Sequence, residues 1–334
     1  MRDYFRPLLQ SGPARPEGAL TLGGGWTWFT HVEVLRRGAA PEVIPASSMP
    51  QDAMQTLVTP RPAMARLDMT RPTIMGILNT TPDSFSDGGQ FSDADRALTH
   101  ARQMIADGAD MLDVGGESTR PGAADVDLAE ETRRTAPVIQ AIRAESAIPI
   151  SIDTRKSVVA KAALEAGADL VNDVAAMIYD PAIGDVTAAA QAPICLMHAR
   201  GDPQTMQDAP RYDDVVLDVY DFLQERVQAA MAAGIPLDRI MVDPGIGFGK
   251  TLEHNLALLQ RLSILHSLGC PILLGVSRKR FIGTLANEPQ AQARMPGSVA
   301  VALAGVAQGA QILRVHDVKE TRQALTLFRA VTGE

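Results

Sequence analysis

The densest group of chemically useful side chains lies in the segment ILNTTPDSFSDGG, which runs from Ile77 to Gly89. An apolar run leads into an amide, two carboxylates and four hydroxyls within twelve residues. Asn79 and Asp87 offer hard oxygen ligands of the kind that Mg²⁺ prefers, and Mg²⁺ commonly takes further oxygens from substrate phosphates and water. The segment therefore predicts a phosphate and Mg²⁺ cradle with Asn79 and Asp87 as metal ligands.

Polar residues also stand at the ends of seven later apolar runs. In chain order they are Asp113 with Glu117, Thr119 and Arg120; Asp153; Asn172 with Asp173; His198; Asp243; Ser277 with Arg278 and Lys279; and Arg314 with His316. A single Asp at such a place is more often a helix cap or turn former than a catalyst, and Asp173 and Glu117 fit that interpretation. A lone His after an apolar run is usually a satisfied core residue, so His198 receives no role. It is the coincidence of eight polar strand ends that predicts a shared site.

Two kinds of group are combined in this set. Amide and carboxylate edges suit a planar heterocycle with several N–H donors, and they come from Asp153, Asn172 and Asp243. Cationic groups suit an anion such as phosphate, and they come from Lys279, Arg314 and His316. Hydroxyls are added by Ser277 and Thr119. The site is predicted to bind a heteroaromatic ring that carries a phosphate ester.

The apolar runs show which elements must position these residues. They occupy 72–78, 111–116, 149–153, 170–174, 193–198, 240–245, 271–277 and 312–316, and segments with helical periodicity separate them, for example 93–108, 128–145, 157–167 and 296–310. Strand and helix alternate eight times over about 260 residues, which favours an α/β fold, a (β/α)8 TIM barrel whose chemistry sits at the carboxyl ends of the strands. The alternative is an open doubly wound sheet, but no intact GxGxxG follows the first strand.

The first 70 residues differ from the rest, with both tryptophans (Trp26 and Trp28) and a GGG segment. We predict an N-terminal extension over 1–70, in which ALTLGGGWTWFTHVEVL forms a small β-hairpin, and a barrel over 71–334.

Composition excludes several classes of protein. The net charge of −8 provides no general attraction to nucleic acid. The first residues lack the apolar core of a secretory signal, and the apolar runs are too short to cross a membrane. Two cysteines outside any CxxC predict no disulfide framework, so a cytoplasmic location is expected.

Other motifs are incomplete. GIGFGKT (245–251) resembles the tail of a phosphate-binding P-loop, but the pattern GxxxxGK[ST] requires glycine where Pro244 stands. The segment is better explained as a loop over the mouth, with Phe248 covering a ring. No HExxH and no GxSxG occurs, which argues against a zinc site and a serine nucleophile.

A series of motifs resembles the dihydropteroate synthase family, in the family's order and over about residues 72–332. They are IMGILNTTPDSFSDGG, DVGGESTRPGA, ISIDTRK, LVNDV, VDPGIGFGK, GVSRKRFIG and RVHDV. The resemblance implies a homodimeric transferase of folate biosynthesis that condenses 6-hydroxymethyl-7,8-dihydropterin diphosphate with 4-aminobenzoate to 7,8-dihydropteroate and diphosphate. It also implies that sulfonamides, as mimics of aminobenzoate, inhibit the enzyme.

The resemblance assigns roles to matched positions. The pterin would be held by Asp153, Asn172, Asp243 and Lys279, of which Asp153, Asp243 and Lys279 are the predicted catalytic residues. The diphosphate would be held by Asn79, Arg314 and His316, with Mg²⁺ on Asn79 and Asp87. The aminobenzoate would be bordered by Phe85, Thr119, Arg120, Pro121, Phe248 and Ser277.

Two other functions remain open from the sequence. A pterin-binding methyltransferase module shares the barrel but needs no diphosphate site, and the SRK, TPDSFSDGG and GGESTRPG motifs argue against it. A catalytically silent pterin-binding homologue would be expected to have lost loop residues.

Overall fold

The computed structural model describes residues 1–81, 93–118, 125–201 and 209–333, and a small β-rich unit comes first. Its elements are β1 (Tyr4–Pro7), β2 (Leu20–Thr21), β3 (Trp28–Phe29), β4 (His31–Leu35), β5 (Glu42–Pro45) and α1 (Gln51–Val58). Strand β4 pairs antiparallel with β1 and with β5, and β2 pairs with β3 in a hairpin. Phe29, Val32 and Leu57 are fully buried in a core of this unit.

Eight parallel strands follow and form a nearly closed barrel, as the alternating pattern predicts. They are β6 (Thr73–Asn79), β7 (Met111–Gly115), β8 (Ile150–Asp153), β9 (Leu170–Asp173), β10 (Ile194–Met197), β11 (Ile240–Asp243), β12 (Leu273–Leu274) and β13 (Ile312–Val315). The strand order is β11-β10-β9-β8-β7-β6-β13-β12, and a parallel bridge between Val242 and Ile272 joins the two edges. The (β/α)8 prediction is therefore confirmed.

Helices cover the outside of the barrel. They are α2 (Asp93–Ala106), α3 (Leu128–Glu145), α4 (Ser157–Glu165), α5 (Ala182–Ala189), α6 (Val215–Ala232), α7 (Leu252–Gln260), α8 (Arg280–Leu285), α9 (Met295–Ala307) and α10 (Val318–Thr332). Local signals set several starts: the Asp127 side chain accepts a hydrogen bond from the Ala129 N–H, and Thr251 and His254 form a capping box. In these described ranges, no helix has the length and apolar character that crossing a bilayer requires.

The seventh barrel strand is shorter than the apolar run 271–277 suggests. Only Leu273–Leu274 is strand, because Pro271 has no N–H to donate and the chain turns at Arg278, whose φ is +57°. The shortened strand places Ser277 and Lys279 in the turn that follows it.

The amino end of the barrel is filled by apolar side chains. Met64, Leu67 and Met69, in the segment that leads into β6, form one buried cluster with the first inward-facing residues of the strands, such as Met75 and Met111. Burial of this size is the main source of fold stability. The polar carboxyl end is therefore where a site can form.

The β-rich unit is fastened to the barrel by polar contacts. The Trp26 indole N–H donates to the Val306 carbonyl over 3.0 Å, and Arg37 pairs with Asp218 and Asp221 at 2.6 and 2.7 Å. The boundary between residues 70 and 71 stays a prediction.

Candidate active site

Arg314 lies at the centre of the polar end. It is the third residue of β13, and its guanidinium forks between two carboxylates, with Nε 2.6 Å from Asp113 Oδ2 and Nη2 2.6 Å from Asp153 Oδ2. Asn172 Nδ2 donates to the same Asp113 oxygen over 3.2 Å. Four strands, β7, β8, β9 and β13, thus bring polar side chains to one place.

Two acceptors in this group have no hydrogen-bond partner among the described residues. They are Asp113 Oδ1 and Asp153 Oδ1, and both are buried. Burial raises the pKa of Asp153 to about 7, with Arg314 opposing that shift and Asp113 adding to it. A buried acceptor without a donor is costly, so this pair fits a ligand that brings N–H donors.

Asp243 and Lys279 form the opposite side of the mouth. Asp243 ends β11, and its Oδ1 accepts from the Gly245 N–H over 2.7 Å. Burial raises the pKa of Asp243 to about 6, and the Gly245 hydrogen bond and the positive charge of Lys279 both oppose that shift. Lys279 Nζ lies 4.1 Å from the centre of the Phe248 ring, a cation–π contact. A carboxylate, an ammonium group and an aromatic face are therefore adjacent.

The loop that carries Phe248 is held from inside by Lys250, which is 3% exposed. Its Nζ lies 2.9 Å from the Gly245 carbonyl, 3.0 Å from the Phe248 carbonyl and 2.8 Å from His198 Nδ1. Burial lowers the pKa of Lys250 well below its ordinary value. Lys250, the lysine of the segment that resembles a P-loop, thus fixes the shape of its own loop.

Gly245 shows why that loop needs glycine. Its φ is +64°, and a Cβ there would lie 1.8 Å from the His198 carbonyl oxygen. The close approach of the two loops brings His198 to Lys250. His198 is 4% exposed, which agrees with its interpretation as a core residue.

Ser277 and His316 join the turns after β12 and β13. Ser277 Oγ accepts from the His316 backbone N–H over 3.1 Å and lies 2.9 Å from its Nδ1. Next to them, Arg278 Nη2 lies 2.5 Å from Asp317 Oδ1. These contacts fix the positions of the predicted aminobenzoate and diphosphate residues relative to each other.

A buried charge cluster lies just behind Asp153. Lys156 contacts Glu117 and lies 2.9 Å from Glu131 Oε2, while Arg155 Nη2 lies 2.8 Å from Glu117 Oε1 and 3.0 Å from Asp125 Oδ1. Burial acts to lower the pKa of Lys156, but the carboxylates of Glu117 and Glu131 outweigh it, so that pKa is raised. Glu117 is therefore an ion-pair partner rather than a turn former.

Asp173, by contrast, is the turn former that its position predicts. Its Oδ1 accepts from the Ala175 N–H over 2.8 Å and its Oδ2 from the Met177 N–H over 2.6 Å. Both carboxylate oxygens accept backbone hydrogen bonds of the turn, and the side chain is fully buried, so Asp173 serves the turn.

The predicted site residues divide into two groups. Those within the described residues all lie in the last two residues of a barrel strand or in the segment that follows it, and they are Asn79, Asp153, Asn172, Asp243, Phe248, Ser277, Lys279, Arg314 and His316. The others lie outside the described residues, and they are Phe85, Asp87, Thr119, Arg120 and Pro121.

The metal prediction rests on one described residue, Asn79, which ends β6 and is half-buried. In the described ranges no group of three His, Cys, Asp or Glu side chains could hold a metal ion. Mg²⁺ needs no such group, because it is usually held by one or two side chains together with substrate phosphates and water. Asn79 ends β6, the strand that pairs with β13 and its Arg314, and its amide oxygen fits that manner of binding.

Sequence reasoning assigned no role to Asp113 and Lys250. Asp113 stands inside β7 rather than at its end, and only the register of the barrel shows that it meets Arg314. The signal for Lys250 was its place in a motif that matched a P-loop imperfectly.

Comparisons with known proteins agree on one family. The family described as pterin binding enzyme matches residues 75–316. Dihydropteroate synthase of Synechocystis sp. is 49% identical over 253 residues, which cover 76% of this chain and 88% of that protein. The structure of Xanthomonas albilineans dihydropteroate synthase with 4-aminobenzoic acid has a TM-score of 0.76 and 48% identity, covering 80% of this chain and 96% of that one. Yersinia pestis dihydropteroate synthase in complex with a sulfonamide drug has the same TM-score at 46% identity, with 80% and 97% covered.

Proposed function

The chain belongs to the dihydropteroate synthase family of pterin binding enzymes and is a transferase of folate biosynthesis, and we propose how its residues carry out the reaction. The reaction condenses 6-hydroxymethyl-7,8-dihydropterin diphosphate with 4-aminobenzoate to 7,8-dihydropteroate and diphosphate. One observation supports the division of roles best: the buried Asp113 and Asp153 share Arg314, and each keeps one oxygen without a donor.

The pterin lies in this proposal between Asp153 and Asn172 on one side and Asp243 and Lys279 on the other. Ring N–H groups donate to the free carboxylate oxygens and remove the cost of burying them. Lys279 donates to a ring acceptor.

Departure of diphosphate is the difficult step, because it leaves positive charge on the pterin methylene. Arg314 and His316 stabilise the leaving group. Asn79 and Asp87 would hold Mg²⁺, which would neutralise further phosphate charge. Ionised Asp153 and Asp243 stabilise the cation electrostatically. The aniline nitrogen then attacks, and it needs no strong base.

The aminobenzoate lies in this proposal against Phe248 and Ser277, and the other residues predicted to border it are Phe85, Thr119, Arg120 and Pro121, which lie outside the described residues. A sulfonamide is expected to compete there with 4-aminobenzoate.

The remaining proposals concern the state of the protein. A homodimer follows from the family resemblance and is tested by light scattering of the purified chain. A cytoplasmic location is supported by Cys195 and Cys270, which are both buried free thiols. The division at residues 70 and 71 is tested by the stability of a chain that starts at residue 71.

The deciding experiment mixes the purified full chain with Mg²⁺, the pterin diphosphate and 4-aminobenzoate, and measures 7,8-dihydropteroate and diphosphate in equal amounts. Pterin binding without turnover would identify a silent homologue. Methyl transfer from methyltetrahydrofolate to cobalamin would identify a methyltransferase module.

A further inference from the structure

A second pocket opens beside the mouth of the barrel, on the side of β9, β10 and β11. Its volume is about 680 Å³, enough for a small ligand. Its aromatic walls come from Tyr179, Tyr212, Phe222 and Phe248. Phe248 is shared, because Lys279 of the reaction site lies 4.1 Å from the centre of the same ring.

The charge of this pocket is positive. Arg200 lines it, stacks 4.9 Å from the centre of the Tyr212 ring, and forms no ion pair with a carboxylate of the described residues. The carboxylate in the lining, Asp218, is already 2.6 Å from Arg37. Within the part of the chain that the structure describes, no carboxylate competes with an anion for the guanidinium of Arg200.

His198 adds a second polar group to the wall. The ring is packed edge-on against Phe222, with 4.7 Å between centres, and the residue is 4% exposed. Nδ1 is occupied by Lys250 at 2.8 Å, whereas Nε2 has no hydrogen-bond partner among the described residues. When Lys250 donates to Nδ1, the imidazole proton is on Nε2, which then offers a fixed donor to the pocket.

We propose that this pocket is a second binding site, and that it takes a small aromatic carboxylate. The ring lies among Tyr212, Phe222 and Phe248, and the carboxylate accepts from Arg200 and His198. The ligand chemistry is that of a benzoate, which two molecules of the reaction share: free 4-aminobenzoate and the benzoate end of 7,8-dihydropteroate. A ligand in the second pocket acts on the reaction site through the shared Phe248. This effect on the reaction rests on the proposed function, whereas binding of a benzoate to the pocket does not.

The probe is 4-fluorobenzoate, which lacks the amino group that reacts, and its binding to the full chain is followed by fluorine NMR. Arg200→Gln removes the charge and keeps a similar size, and His198→Phe keeps the ring without its nitrogens. Loss of one charge-assisted hydrogen bond is expected to weaken probe binding about tenfold or more in each variant. The reaction site is also expected to take this benzoate, so Ser277→Ala is the control: it is expected to weaken that binding alone and to leave the binding that Arg200→Gln and His198→Phe weaken unchanged.

The two candidate ligands, 4-aminobenzoate and 7,8-dihydropteroate, are compared in the Ser277→Ala protein. Each is titrated in a separate series, and the concentration that displaces the probe is measured. The proposal fails if the probe does not saturate. It also fails if Ser277→Ala abolishes binding while Arg200→Gln retains it, because the probe then lies in the reaction site. Turnover is measured separately, so an inactive wild-type chain with an intact probe site would refute the proposed function alone.

Discussion

Asp153→Asn is the most informative perturbation, because the two side chains have the same shape and differ in charge. Asp153 keeps one oxygen for Arg314, and its other oxygen is buried without a donor among the described residues. In the variant the amide must turn its NH₂ either to Arg314 or to the ligand, so one good contact is lost. A hydrogen bond to a charged group contributes about 1.5–3 kcal/mol, which corresponds to roughly 10- to 100-fold in pterin affinity.

The size of this effect is expected to depend on pH. The pKa of Asp153 is raised to about 7. Above that pH the wild-type carboxylate is ionised, and the wild type binds the pterin more tightly than the variant by the full factor. Below that pH the carboxylate takes up a proton, and the difference in affinity becomes smaller. With such a pKa only about a tenth of Asp153 is ionised at about pH 6, so the ratio of affinities is expected to fall several-fold between about pH 8.5 and 6.

The assay is equilibrium binding of 6-hydroxymethyl-7,8-dihydropterin to both proteins across this pH range. Asp185→Asn, an exposed carboxylate in the first turn of α5, is the control for net charge, and melting temperatures confirm that each variant folds. A ratio that stays constant would show that Asp153 does not titrate in this range or does not touch the ring. A ratio that grows on acidification would reverse the reasoning.

Four further predictions concern lysine and asparagine side chains. Lys279→Met is expected to weaken binding of the dihydropterin about tenfold or more, and unchanged binding in the same titration would remove Lys279 from the ring site. Lys250→Met leaves loop carbonyls without a donor and is expected to raise the KM for 4-aminobenzoate about tenfold. Steady-state kinetics with each substrate varied in turn measure this, and an unchanged KM for 4-aminobenzoate would contradict it. Lys156→Met leaves two buried carboxylates short of a cation and is expected to lower the free energy of unfolding by about 3 kcal/mol in urea titrations, whereas the exposed Lys161→Met should match wild type. Asn79→Ala is expected to raise the Mg²⁺ concentration for half-maximal turnover, and an unaltered Mg²⁺ titration would exclude it as a ligand.

Much of the fold was available from the sequence, since parallel strands and crossover helices leave a regular trace of apolar runs. The strand ends at Asp153, Asn172 and Asp243 were identified because motif and strand end coincide there. The fork of Arg314 was not, because it depends on Asp113, which stands two residues before the end of its strand. Whether Asp113 and Arg314 lie at the same depth in the barrel depends on the register of their strands. The spacing of residues within each strand does not reveal that register.

The contacts of Lys250 were hidden for a different reason. A glycine-rich loop followed by lysine has the same local composition whether the amine faces a phosphate or folds back onto its own carbonyls. Which of these occurs depends on the neighbouring loop around His198, 52 residues away in the chain.

The buried cluster around Met64, Leu67 and Met69 limits the route by which ligands reach the site. Because apolar side chains fill the amino end of the barrel, both substrates and both products must enter and leave at its carboxyl end, as far as the described residues show. A ligand that lies near the buried Asp153 must therefore enter before any ligand that lies between Asp153 and the carboxyl end of the barrel.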